Sequence, residues 1–166
     1  GGSFYMPNTL YNIWNCSRRS AGRLASGGGG VYVGPPMKQV TPLTVRPYEC
    51  DSYGHVNHAV YVNYLEYARM QFLHAAGYDY KGLIAAGFFT VIARLDISYR
   101  SPAYADDALA IETESTETRR IGGTFHQTIR RGETVVAEAD VHWCVVDGEG
   151  RPARPPEEFD LRRRLP

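Results

Sequence analysis

Hydrophobic spacing divides the chain near residue 37. Over residues 1–36 neither a period of 2 nor one of 3.6 persists, and residues 27–30 are an unbroken glycine run. That texture predicts a disordered arm or linker, so residues 1–36 are set aside from fold reasoning and residues 37–166 are taken as the domain. A secretory leader is the weaker reading of the arm, because no continuous apolar core runs through it. From Met37, where "MKQVTPLTVRPYECD" reads like the opening of a protein, the periods become legible.

Residues 39–46 read as a short strand, confined by Pro42 to a sheet edge or a bulge because proline has no N–H to donate. Residues 57–76 read as a helix of about twenty residues, with Asn57 as its N-cap and Gly77 as its stop. Tyr61, Leu65, Ala68 and Phe72 form one stripe on it. Val60, Val62, Tyr64, Tyr67, Leu73 and Ala76 carry apolar character around most of the circumference. Such a helix needs wrapping on several sides.

Four strands follow. In 88–100 the apolar series Val91, Ala93, Leu95, Ile97 and Tyr99 alternates with Arg94, Asp96, Ser98 and Arg100. Leu109, Ile111 and Thr113 form the next inward series, "RRIGG" (119–123) a turn, and Phe125, Gln127 and Ile129 the third. After "RRGE" (130–133), Val135, Ala137, Ala139, Val141, Trp143 and Val145 face inward, and "DGEG" (147–150) ends the last strand. A strand, a long helix and four closely connected strands predict an α+β fold: an antiparallel sheet of about five strands against one helix.

Composition narrows the function. At 166 residues and 43% hydrophobic, the chain can bury one core. Its formal charge is zero, with 18 basic and 18 acidic residues, so no global field favours nucleic acid or an anionic membrane. Cys16, Cys50 and Cys144 are odd in number and lack C-x-x-C spacing, which suits a reducing cytoplasm better than a disulfide framework or structural zinc. No stretch approaches the roughly 18 apolar residues of a membrane helix.

The densest chemistry lies in "ECDSYGHVNHAVYVNYLEYAR" (49–69), where an acid, a glycine, two histidines and an asparagine crowd the start of the helix. Together with "ISYRSPAYADD" (97–107), "RRIGGTF" (119–125) and "WCVVDGEGRPARPP" (143–156), it resembles the 4-hydroxybenzoyl-CoA thioesterase family. The resemblance spans residues 40–156 and implies a hot-dog fold, a sheet wrapped around one long central helix. It implies hydrolysis of acyl-CoA thioesters, with no cofactor and no metal, by a homodimer or homotetramer whose sites lie between subunits. Asp51 then matches the catalytic carboxylate, as nucleophile or general base, and His58 the position whose main-chain N–H faces the thioester oxygen. His55 matches a histidine of related acyl-carrier thioesterases. Gly54 lets the backbone turn closely. Arg119, Arg120, Gly122, Gly123 and Thr124 offer charge, free N–H groups and a hydroxyl to the phosphates of coenzyme A. Arg100 is a second cation for that task. The family's benzoate-specific members carry Asp-Cys-Asp-Pro; here Glu49, Cys50, Asp51 and Ser52 precede a "GHVNH" closer to members acting on fatty acyl groups.

Plainer readings stand beside these. Asp51 is equally an Asx-turn residue, His55 a structural loop histidine, and the arginines a solvated hairpin tip. Glu66, the helix carboxylate other hot-dog branches use, can simply pair with Arg69 for about 0.2–0.5 kcal/mol. Asp51, His55 and His58 are metal-ligand types without a third His or Cys among them, and Cys50 is a candidate thiol nucleophile that extended chain would turn away from Asp51. A non-catalytic acyl-binding module, an acyl-carrier-protein thioesterase and a hydratase complete the alternatives.

Overall fold

The computed structural model describes residues 38–163; the expected arm and Met37 lie outside them. Strand β1 (Lys38–Thr44) leads through a single 3-10 turn, Pro47–Glu49, to helix α1 (His58–Ala75). A short helix α2 (Tyr80–Ala85) follows, then β2 (Phe88–Tyr99), β3 (Ala108–Arg119), β4 (Gly122–Arg131) and β5 (Thr134–Asp147). Two further 3-10 turns, Glu157–Phe159 and Leu161–Arg163, end the described chain.

All five strands join one antiparallel sheet in the order β1-β3-β4-β5-β2. The expected hot-dog arrangement is therefore present, with Pro42 on an edge strand that pairs only with β3. Asn57 caps α1 through its side chain, which accepts from the Ala59 amide at 2.9 Å. The inner face of the sheet closes on Tyr61, Tyr64, Leu65, Ala68, Phe72 and Leu73 of α1. Phe72 meets Phe125 edge-on at 5.5 Å, and Phe125 stacks on Trp143 at 6.1 Å.

Several expectations are corrected. Bulges re-phase two of the expected inward series, because one extra residue exchanges the faces beyond it. In β2 the register slips between Ile92 and Arg94, so Ile92 pairs with Trp143 while Val91 pairs with Cys144, on the face away from α1. In β5 the slip lies opposite Ile129 and Arg130, so Val136 is fully buried and Val135 falls out of phase with the core. Tyr99 does turn toward α1 as expected, its ring 5.4 Å from that of Tyr61, but stays half exposed at the strand's end. α2 carries no period long enough to have been read. In the single chain α1 is covered on one side, leaving Val62 and Tyr67 exposed.

Candidate active site

Between β1 and α1 the chain folds back on itself. The Cys50–Val56 bridge closes a short loop, within which the Gly54 amide donates to Asp51 O (3.0 Å) and the Asp51 amide to His55 O (2.9 Å). Gly54 sits at φ +85°, where a side chain would strain the backbone although space is open around it. The loop is tied outward by the Val56 amide donating to Ala103 O (2.8 Å) and a His55–Tyr104 bridge.

Asp51 and His55 come together here. Asp51 Oδ1 accepts from the Tyr53 amide at 2.9 Å, the Asx-turn contact. Its other oxygen lies 3.6 Å from His55 Nδ1, and the side chain keeps 20% of its surface exposed. In the tautomer protonated at Nδ1, His55 donates to Val56 O at 3.2 Å, and Tyr53 stacks on its ring. Cys50 instead packs against the core.

Immediately beyond, α1 presents its unpaired amides. The Asn57 side chain takes the Ala59 N–H and the Asn57 carbonyl takes the Val60 N–H. Among the described residues the His58 N–H has no acceptor. The imidazole of His58 is exposed, and the Tyr99 hydroxyl donates to the His58 carbonyl at 2.9 Å, fixing this turn against the end of β2. An open carboxylate oxygen thus stands seven residues ahead of a helix start that presents, among the described residues, one bare amide and the positive end of the helix dipole.

The second expected group lies elsewhere in the protomer. The β3–β4 hairpin pairs Arg119 with Gly122 and Gly122 with Cys144, at the end of the sheet opposite Tyr99 and Asp51. Arg119 is held by Glu117, while Arg120 forms no salt bridge among the described residues. Thr124 Oγ1 is hydrogen-bonded to His142 Nδ1 at 3.0 Å. Gly122 and Gly123 allow close strand approach: a Cβ on Gly123 would stand 2.2 Å from Glu117 O and 2.9 Å from the Trp143 ring. Arg100 pairs with Glu138. Among the described residues no group of three His, Cys, Asp or Glu side chains could hold a metal ion, and no helix is long and apolar enough to cross a membrane.

Comparison with known proteins agrees with this architecture. Residues 45–162 match the Thioesterase-like superfamily. The chain belongs to that superfamily. It is 35% identical over 107 residues to "Acyl-CoA thioester hydrolase YbgC" of Escherichia coli O6:H1, covering 64% of this chain and 80% of that protein. It is 31% identical over 127 residues to "Long-chain acyl-CoA thioesterase FadM" of Escherichia coli strain K12, covering 75% and 95%. The crystal structure of hypothetical protein TT1821 from Thermus thermophilus superposes with a TM-score of 0.69 at 35% identity, over 76% of this chain and 95% of that one.

Two polar clusters of this thioesterase-like chain were not legible beforehand. Glu49, in the turn before Asp51, is buried and accepts from the Arg46 amide (2.7 Å), the Tyr64 hydroxyl (2.7 Å) and the Arg46 guanidinium (3.2 Å). Burial opposes its charge, but these donors together hold its carboxyl below the usual carboxylate range. Arg69 pairs with Glu66 as expected, yet it is buried, not superficial, and donates to Gln127 Oε1 at 2.9 Å. Gln127 in turn donates to Leu65 O and Thr113 Oγ1. Glu66 itself is mostly exposed and remote in sequence from the loop. Neither cluster has a local signal, since Tyr64 lies 15 residues from Glu49 and Gln127 lies 58 from Arg69.

Proposed function

We propose that this chain hydrolyses acyl-CoA thioesters to the free acid and coenzyme A, with Asp51 as its catalytic carboxylate. The reading is supported by two features of one segment: an Asp51 oxygen without a hydrogen-bond donor, and, seven residues on at the start of α1, a His58 amide without an acceptor, both among the described residues. Thioester cleavage develops negative charge on the carbonyl oxygen, which a bare helix amide stabilises without reorganisation. Asp51 activates water as general base, or attacks directly as nucleophile to expel the coenzyme A thiolate and form a mixed anhydride that water then hydrolyses to the free acid. His55, within ion-pair reach of Asp51, orients the carboxylate or protonates the departing thiolate.

Within the superfamily, the reading favours fatty acyl groups over 4-hydroxybenzoate. "GHVNH" in place of the benzoate-type context supports this, as does the relative named a long-chain acyl-CoA thioesterase. A homodimer also accounts for the separation of the two expected residue groups. Among the described residues β2 offers an unpaired edge of 12 residues, whereas β1 is shorter and carries Pro42. Two-fold antiparallel pairing of β2 edges sets the Tyr99 end of one copy beside the Phe88 end of the other. The Arg119–Thr124 hairpin of one copy then lies on the side of the other's Asp51, with Arg120 available to coenzyme A phosphates. Cys50 as a free thiol suits a reducing, cytoplasmic setting.

Release of free thiol from acyl-CoAs of increasing chain length tests the proposal. Turnover highest for fatty acyl chains is expected. Binding without thiol release would replace the enzyme with an acyl-binding module, and water addition to an enoyl chain would replace it with a hydratase.

A further inference from the structure

We propose that Glu49 is a positioning residue for Asp51, holding the Asp51 loop in register with the first turn of α1 through its bond to Tyr64. The inference rests on the Asp51 assignment above and assigns a role to a buried charge which that chemistry does not use.

The Asp51 loop is short and internally bonded, so its shape is locally determined. Its placement on the helix is a separate matter. Among the described residues, its backbone hydrogen bonding toward α1 is the Asn57 amide donating to Glu49 O at 3.0 Å, just before the helix begins. The side-chain link reaches further. Glu49 stands two residues before Asp51, and Tyr64 stands seven beyond the Asn57 cap, so their 2.7 Å bond ties the loop to the second turn of the rod.

A buried carboxylate is an expensive way to fill space, since an apolar side chain would avoid the desolvation cost. What a charged hydrogen bond adds is direction and distance. Glu49 is only 8% exposed and its oxygens are taken by three donors, so it is poorly placed to meet a substrate itself. Asp51, with one backbone donor and a histidine 3.6 Å away, keeps an oxygen open. Two acids of one segment are thus divided by surroundings into an anchor and a reactive group.

The test compares kcat and KM for a fatty acyl-CoA across Glu49→Gln, Tyr64→Phe, Asp51→Asn and the pairwise combinations. Displacement of a reacting group by about 1 Å costs up to roughly 100-fold, so Glu49→Gln and Tyr64→Phe are each expected to lower kcat about 10- to 100-fold. KM is expected to stay within about threefold, because ground-state binding is untouched. The two changes combined should cost no more than either alone, and neither should lower turnover further in an Asp51→Asn background. Tyr64→Phe removes a single oxygen atom, so it serves if Glu49→Gln does not fold. Wild-type kcat in both single variants, with Asp51→Asn impaired, overturns the proposal. So does an equal loss with and without Asp51, which marks a general effect on the fold. Full turnover by Asp51→Asn overturns the Asp51 assignment itself, and this inference with it.

Discussion

Asp51→Asn is expected to lower kcat for acyl-CoA hydrolysis by about 10²- to 10⁴-fold, the range for losing a positioned acid–base group. The substitution is chosen because the turn survives it. Asn keeps an oxygen to accept from the Tyr53 amide, now 2.9 Å from Asp51 Oδ1, and Asx turns tolerate either residue. What disappears is the charge next to His55. KM should change little, since the His58 amide remains in place for the carbonyl. Steady-state thiol release measures both quantities. Unchanged turnover in a folded variant would remove Asp51 from the chemistry.

The second large effect is on stability. Gly123→Ala should cost about 3 kcal/mol or more, at the upper end of the overpacking range. A methyl there meets Glu117 O at 2.2 Å and the Trp143 ring at 2.9 Å, and neither neighbour is a flexible side-chain tip. β4 lies between β3 and β5, so relief requires spreading strands in the middle of the sheet. Urea unfolding should show a lower midpoint with an unchanged slope. A midpoint equal to that of the parent chain would mean that the hairpin yields, and that its glycines serve something other than strand approach.

Local signals in the chain carry part of this fold, and long-range pairing carries the rest. The long helix, its Asn57 cap and the succession of five strands along the chain were legible because apolar periods and turn residues are local signals. The proximity of Asp51 and His55 was legible too, because four residues of chain separate them. The outward turning of Val91 and Val135 was not, since a bulge depends on how a partner strand pairs, and alternation continues smoothly through it. Gly122 and Gly123 carried a glycine-rich pattern that phosphate binding and tight strand packing share. Glu49 and Arg69 carry no local sign of burial, since Tyr64 and Gln127 are brought against them only by the fold.

The proposed convergence of Asp51 and the His58 amide on one carbonyl is tested most directly by a crystal structure with an acyl-CoA analogue in which methylene replaces sulfur, leaving a ketone. The ketone oxygen should lie about 2.7–3.1 Å from the His58 nitrogen, the range of an oxyanion donor. An Asp51 oxygen should stand about 3–3.5 Å from the carbonyl carbon or one water away. A ketone seated against Glu66 or on the outer face of the sheet, with Asp51 turned to solvent, would contradict the account.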